Sequence, residues 1–490
     1  MKKRPSIRVL IFLALALETG WAQSDSGQRP ADNSQQPGTA PAPAFGQDNP
    51  PPQANDNPPL SGLDQPSLEP RVAARSFLLP GALVSESVDS NIGSDTGNVA
   101  VHGVTRATGS LLLKKLGNRY ETDLDYVGGA AFYAGLNQGT HQIQQLNGEE
   151  RVLWRTGQLA IRDTFSYLPE GAFGFGAFGG TGAYQVGMGG TPGLGGGIVG
   201  GGVGGLFGPG QFGSLGQQPR ITNTAIVDIV KELTPRSSVT LAGSYGLVHF
   251  TDNTAGFVNS NQIAPFVNSS QVAAQAGYNY QINRKNQIAL VYGFQDFHYP
   301  NFAGTTFTTH MGHVLYGHRI SGRMDVLLGG GPQVTNIQSS TFGSIQRITV
   351  SGRASLRYRF PRTTLGIHYE RYSTSGSGFL LGANSDIARL SVSRSLSRLW
   401  DVIADLGYAH NSQIQPGGSI AATSYDYGYA GGMARRQLGR YFSLFLSYQF
   451  NDLAFDNAFC GLTGPRCDRT SRRHVAAVGL NWHPRPIRLD

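Results

Sequence analysis

The chain has 490 residues, of which 39% are hydrophobic and only 14% charged, and its formal net charge is +8. So mild a positive excess gives no argument for a nucleic-acid partner. Nothing after residue 22 resembles a transmembrane helix, yet the chain contains 67 glycines and 20 tyrosines. A barrel of strands explains this mixture, because only alternate residues of such strands need to be apolar.

Residues 1–22 have the features of a signal peptide. Four basic residues fall within the first eight positions, and Val9–Leu17 forms an apolar core. That core is too short to cross a bilayer of about 30 Å as a helix. Small residues at Gly20 and Ala22 suit signal peptidase, so the mature chain is expected to begin near Gln23. No cysteine follows the core, which argues against a lipid-anchored protein.

Residues 23–74 are rich in Pro, Gln, Asn and Ser and poor in aromatic and β-branched residues. Such a composition cannot bury enough apolar surface to offset the entropy of ordering the chain. We therefore predict a disordered periplasmic tether over this range, with cell-wall binding as the alternative.

The clearest structural pattern is the alternation in Gln346–Phe360. Arg, Ser and Thr occupy one set of alternate positions, and Ile, Val, Leu, Tyr and Phe fill most of the other. Successive side chains of a strand point to opposite faces, so this stretch is a strand with one polar and one apolar face. It is also longer than the usual strand of about 5–6 residues. Long strands of this kind are typical of barrels that span an outer membrane.

The same alternation recurs to the end of the chain. We count about eighteen runs, with 16 as the alternative. An even number returns both ends of a barrel to the same side. The runs begin near residues 78, 104, 119, 145, 158, 222, 238, 270, 286, 306, 323, 345, 363, 385, 400, 424, 440 and 473.

The connections between the runs alternate in length, which supports this count. Every second connection is tight, as at Thr156-Gly157, Ser321-Gly322 and Leu438-Gly439, and the others are longer. Membrane barrels place short turns on the periplasmic side and long loops outside. The predicted fold is an all-β, antiparallel, up-and-down transmembrane barrel over residues 75–483, followed by a short tail, 484–490.

With this architecture the chain resembles the porin-type outer-membrane β-barrels of Gram-negative bacteria. It also resembles barrels found near exopolysaccharide systems, through LVYGFQDFHYP (290–300) and VGLNWHPRP (478–486). The resemblance implies an outer-membrane location, contact with lipid and lipopolysaccharide, and insertion by the barrel-assembly machinery. It leaves open whether the protein is a homo-oligomer.

The predicted inner face carries charge in patches. Facing columns of opposite sign would create a transverse field across a water-filled lumen and tune ion selectivity. Alternatively, these groups pair across adjacent strands and brace the wall. The predicted lumen-facing residues are Glu121, Asp123, Asp125, Arg347, Arg353, Arg357, Arg359 and Arg389.

Gly171–Pro219, within the predicted extracellular loop 169–220, contains many glycines and several phenylalanines but no charged residue. By our count it is the third extracellular loop, which folds inward in the porins that the chain resembles. We expect it to narrow the pore by steric or apolar contact; the alternative is a flexible surface loop.

No residue pattern indicates catalysis, a cofactor or a metal. His310 and His313 are three residues apart, which places them on opposite faces of a strand. Cys460 and Cys467 lie in the last extracellular loop, where an oxidising compartment favours a disulfide over two free thiols. The sequence thus predicts a passive porin-like channel for small hydrophilic solutes. The alternative is a non-conducting surface anchor, or a component of polysaccharide export or adhesion.

Overall fold

The structure of the protein is a computed structural model. It describes residues 58–63, 76–92, 100–135, 140–169, 219–251, 257–259, 262–264, 267–300, 302, 305–339, 343–376, 378, 380–414, 423–456 and 470–489. Within these ranges, no helix is long and apolar enough to cross a membrane. The predicted signal peptide and most of the predicted tether lie outside them.

The described residues form 21 strands. The first eleven are β1 (Phe77–Asp89), β2 (His102–Leu116), β3 (Tyr120–Tyr133), β4 (Thr140–Trp154), β5 (Gly157–Leu168), β6 (Arg220–Thr234), β7 (Ser237–Phe250), β8 (Phe257–Asn259), β9 (Gln262–Ala264), β10 (Ser269–Gln281) and β11 (Asn286–His298). The remaining ten are β12 (Thr306–Ser321), β13 (Met324–Ser339), β14 (Gly343–Arg359), β15 (Thr363–Thr374), β16 (Ala383–Ser395), β17 (Trp400–Gln413), β18 (Ser424–Leu438), β19 (Phe442–Phe455), β20 (Thr470–Trp482) and β21 (Ile487–Arg488).

Eighteen of these strands form one closed antiparallel ring. Each long strand pairs with the next along the chain, β7 pairs with β10, and β20 closes the ring by pairing with β1. The short strands β8 and β9 form a separate hairpin in the connection between β7 and β10. The prediction of an all-β, up-and-down barrel with 18 strands is confirmed, and the strand starts agree with the alternation in the sequence.

Alternation divides the side chains of every long strand between two faces. On β19, Leu444, Leu446 and Tyr448 are exposed on the outside, whereas Ser443 and Gln449 are buried on the inside. The exposed fraction of the outer side chains reaches 74% at Ile348 on β14. Side chains this apolar suit contact with lipid tails rather than with water.

Aromatic side chains lie on the outer face near both ends of the strands. Tyr120 and Phe132 are exposed at opposite ends of β3, about 40 Å apart along the strand at about 3.3 Å per residue. Such paired aromatic girdles mark the two interfaces of a membrane-spanning barrel. Other exposed aromatics near the tight-turn end include Trp154, Tyr280, Phe360, Trp400, Phe442 and Trp482.

The C-terminal residues continue the sheet. Ile487 and Arg488 of β21 pair with Leu78 and Phe77 at the start of β1. β20 pairs with the later part of the same strand, from Ala82 to Asp89. The predicted tail 484–490 is therefore attached to the wall at the end where β1 begins. This attachment could not be read from the sequence, because β21 is too short to show alternation.

A buried ion pair fixes the seam between the first and last long strands. The Arg473 guanidinium on β20 donates from Nε to both carboxylate oxygens of Asp89 on β1, at 3.0 and 2.8 Å. The Arg473 and Asp89 side chains are 4% and 0% exposed. The backbone N–H of Asn91 donates to the same carboxylate at 3.0 Å. Because the pair is buried and joined by several hydrogen bonds, loss of one partner would leave the other charge without compensation.

Arg473→Ala should therefore destabilise the barrel by about 3–5 kcal/mol. Its neighbour Arg472 provides a matched control, because its side chain is 67% exposed on the opposite face and pairs with the exposed Asp452. Arg472→Ala should cost about 1 kcal/mol or less. Urea unfolding in detergent or lipid, followed by the heat-dependent shift in gel mobility, measures both. Equal losses for the two variants would show that the Asp89–Arg473 pair does not secure the seam.

Candidate functional site

The candidate site is the inner face of the barrel, to which every long strand contributes alternate side chains. The acidic column lies on β3, where Glu121, Asp123 and Asp125 share one face. Lys114 on β2 forms ion pairs with Glu121 at 3.0 Å and with Asp123 at 3.3 Å. None of the described ion pairs involves Asp125.

The basic column lies on β14, where Arg347, Arg353, Arg357 and Arg359 share the inner face. Arg357 donates to both oxygens of Asp325 on β13, with Nη2 and Oδ2 2.5 Å apart. None of the described ion pairs involves Arg347.

The last of the predicted residues, Arg389 on β16, pairs with Asp405 on β17 at 2.8 Å. Asp405 also accepts a hydrogen bond from the Tyr429 hydroxyl on β18. Arg389, Arg357 and two of the acidic residues on β3 thus form pairs with neighbouring strands, as in the bracing alternative of the sequence analysis.

The acidic and basic columns face each other across the ring. β3 is the third strand of the ring and β14 is the twelfth, because β8 and β9 lie outside it. Nine steps around a ring of eighteen strands lead to the opposite wall. Cross-strand pairing and opposed columns therefore coexist in the same barrel, and the sequence could not establish this because it does not show which strands lie opposite.

A second cluster of inner charges was missed by the sequence analysis. Arg162 on β5 contacts Glu149 on β4 at 3.3 Å and also pairs with Asp228 on β6. Arg151 pairs with the same Glu149 at 2.6 Å. The available signal was the alternation of β5, in which Ile161 is exposed outside and Arg162 is buried inside.

The main difference from the sequence analysis is that Pro58–Leu63, which we call the lumen segment, contacts the inner wall. It belongs to the range predicted to be a disordered tether, but Ser61 is 1% exposed and Leu63 is 7% exposed. The segment forms a turn closed by the hydrogen bond from Gly62 N–H to Pro59 O, at 2.9 Å. For these six residues the structure departs from the prediction, because long-range contacts order a composition that gives no local signal.

Polar side chains of three strands hold this turn. Ser61 donates its N–H to Asn279 Oδ1 at 3.0 Å, and its hydroxyl accepts from Asn279 Nδ2 at 2.6 Å. The Ser61 carbonyl accepts from Gln275 Nε2 at 2.5 Å, and its hydroxyl lies 2.5 Å from the Thr240 hydroxyl. Arg353 of the basic column donates Nη2 to the Leu60 carbonyl at 2.8 Å.

Apolar side chains complete the contact. Leu63 packs into a buried cluster on the inner faces of β6, β10, β11 and β12, and Leu60 packs against it. The wall members of this cluster are Ile226, Ala273, Ala289, Val291, Met311 and Leu315. Leu60 and Leu63, three residues apart in a range that is mostly polar and Pro-rich, were the available signal for this contact.

The long-loop end of the lumen carries a second insertion, residues 375–382, which we call the mouth loop; all but 377 and 379 are described. Leu381 packs against the inward-facing Phe307 and Ile337, and Tyr299 donates its hydroxyl to the Ser375 carbonyl at 3.2 Å. Gly376 has a φ of +88°, and a Cβ there would lie 2.2 Å from the Leu380 carbonyl oxygen. Only glycine fits this bend without strain, so the loop folds against the inner wall.

The remaining features singled out in the sequence either form no binding site or lie outside the described residues. His310 and His313 occupy opposite faces of β12, and His313 is buried. Within the described ranges, no group of His, Cys, Asp or Glu could hold a metal ion. All of Gly171–Pro219 except Pro219, together with Cys460 and Cys467, lies outside those ranges.

Among the comparisons with known proteins, only the one with solved structures finds matches. No model of a known protein family matches the sequence. No curated protein matches it either. Among solved structures, OccK2 (OpdF) of Pseudomonas aeruginosa in complex with glucuronate gives a TM-score of 0.39 at 10% identity, over 85% of this chain and 98% of that chain.

Two other outer-membrane structures from the same organism give similar values. OpdK gives a TM-score of 0.39 at 11% identity, over 83% of this chain and 98% of that chain. OpdO gives 0.41 at 11% identity, over 84% and 97%. These scores are too low to transfer a substrate or a function. By its own strand pairing and its two faces, the chain is a closed 18-stranded antiparallel barrel, which is the architecture of the porin-type outer-membrane barrels that its sequence resembles.

Proposed function

We propose that the protein is an outer-membrane channel for the passive diffusion of small hydrophilic solutes. The observation that carries this proposal is the closed ring of 18 strands with polar columns inside and apolar columns outside. A ring of about 16–18 strands is wider than its own side chains can fill, so it encloses an aqueous passage. The inner face carries Gln, Asn, Ser and Thr side chains, which make the interior polar.

The charged columns are proposed to set ion selectivity. Asp125 lies near the tight-turn end of β3 and Arg347 near the long-loop end of β14, on the opposite wall, and neither belongs to a described ion pair. Each of these charges favours one sign of ion near its own wall. The paired residues Arg357 and Arg389 contribute less to this field, because their charges are compensated by neighbouring carboxylates.

The location and partners of the channel follow from the same surfaces. The apolar outer band and its aromatic girdles suit outer-membrane lipid and lipopolysaccharide, and insertion would require the barrel-assembly machinery. Residues 1–22 would direct export, and a Cys460–Cys467 disulfide would close the last long loop. Narrowing of the pore by the Gly-rich loop remains part of this proposal.

A second candidate function is a non-conducting surface anchor. The observation that favours it is the partial filling of the lumen by the lumen segment at one height and the mouth loop at another. In that case the long loops and the N-terminal range would bind partners, and the barrel would serve to hold them at the surface.

Purified protein in planar lipid bilayers should produce discrete, ohmic conductance steps, because a water-filled ring passes ions. The matched control is the same preparation unfolded in urea and added without refolding. A correctly folded barrel that inserts but gives no steps would overturn the channel proposal and favour the anchor.

Substitutions on the two walls should shift selectivity in opposite directions. Asp125→Asn should move the reversal potential in a salt gradient towards anion preference, and Arg347→Gln should move it towards cation preference. Asp163→Asn is the control, since Asp163 lies on the outer face of β5 and accepts from Asn223 there, at 2.8 Å. Identical shifts for Asp125→Asn and Asp163→Asn would contradict a lumenal origin of selectivity.

A further inference from the structure

The lumen segment occupies a site that is built to hold it. Its hydrogen bonds to the wall come from residues at least 179 positions away along the chain, on strands β7, β10 and β14. Four wall side chains contact its backbone or its one hydroxyl group, and these four are themselves buried: Thr240, Gln275, Asn279 and Arg353. A linker that merely passed the wall would not need this number of specific hydrogen bonds.

The wall also provides space for the segment. Gly277 on β10 faces inward between Gln275 and Asn279, and a Cβ there would lie 2.3 Å from Ser61 Cβ. At Gly317 on β12, a Cβ would lie 2.7 Å from Leu60 Cδ2. Neither glycine has a positive φ, so backbone conformation does not require glycine at these positions. Close approach of the lumen segment is the physical reason for an absent side chain at both sites.

We propose that this part of the wall is a binding site for a short uncharged peptide in a turn conformation, and that Pro58–Leu63 is its resident, tethered occupant. The polar clamp recognises the backbone and hydroxyl group of the turn, and the apolar cluster recognises the two leucines. Residues 64–75 connect the occupant to Ser76 and β1, so the segment stays near its site after release. A covalent connection of only twelve residues corresponds to an effective concentration of about a millimolar.

The consequence for transport rests on the proposed channel function. The segment is hydrogen-bonded to inner-face residues of β7, β10 and β14, including Arg353 of the basic column, and Leu63 belongs to the apolar cluster of β6, β10, β11 and β12. While bound, the segment reduces the open cross-section of the lumen. It also covers the guanidinium of Arg353, which would otherwise face the lumen. Its release therefore increases ion flow and exposes Arg353.

The first measurement tests the location of the segment without reference to conductance. In full-length protein carrying Cys460→Ser and Cys467→Ser, the pair Ser61→Cys and Thr240→Cys should form a disulfide in high yield on mild oxidation in outer membranes. The native hydroxyls at these positions are 2.5 Å apart. The control pair is Ser61→Cys with Ser443→Cys, because Ser443 faces inward on β19, ten strands further around the ring. Equal yields for the two pairs would overturn the proposed site.

The second measurement tests the role of the segment as a plug. Leu63→Asp places a charge in the apolar cluster, which is costly, so the segment should leave and conductance should rise several-fold. Leu63→Met is the control, because it conserves volume and apolar character. When Leu63→Asp is combined with Ser61→Cys and Thr240→Cys, the engineered disulfide should hold conductance low until a reducing agent is added.

The released channel should also be blocked by millimolar acetyl-PPLSGL-amide and not by a scrambled peptide.

The outcomes separate this inference from the channel proposal. A disulfide with conductance that does not respond to release, locking or peptide would overturn the plug while leaving the channel. A disulfide with no conductance in any variant would overturn the channel and the plug together. Absence of the specific disulfide, with normal conductance, would overturn the binding site alone.

Discussion

The structure depends on one constraint, which is that the strands form a closed ring. Within a bilayer no water is present to satisfy the N–H and C=O groups of a free sheet edge, so a sheet can span only if its edges pair. Here β20 meets β1, β21 extends the pairing, and the Asp89–Arg473 pair fixes the two strands beside each other. In the closed ring the number of strands sets the width of the lumen, and the pairing of the strands sets which inner side chains lie near each other.

Closure of the ring brings residues that are distant in the sequence onto one enclosed inner surface. It places the acidic column of β3 opposite the basic column of β14, and it brings Ser61 to Asn279 and Arg353 to Leu60. Polar groups enclosed by the wall need partners, and neighbouring strands supply many of them, as in Arg389–Asp405. The lumen is therefore an organised interior with separate polar, charged and apolar regions, of which the lumen segment occupies one.

The features that the sequence predicted are those with a local signal. Alternation over 12 to 17 residues identified the strands, as in Gln346–Phe360, because each residue of a strand lies on the face opposite to that of its neighbours. The lumen segment and the mouth loop escaped prediction because their order comes from contacts across the ring. The sequence left open whether Arg357 pairs with a neighbouring strand or contributes to a field across the lumen. The register of β13 and β14, which places Asp325 directly opposite Arg357, was needed to decide between the two.

The central claim is that one face of each strand contacts lipid and the other lines a lumen. Spin labels placed singly along β19, from Leu444 to Gln449, test it through collision with oxygen, which concentrates in lipid, and with a water-soluble nickel chelate. The account predicts high oxygen accessibility at Leu444, Leu446 and Tyr448 and low oxygen accessibility at Phe445, Ser447 and Gln449, with a period of two. Strong collision with the nickel chelate at Leu446 and Tyr448, or the absence of that period, would contradict it.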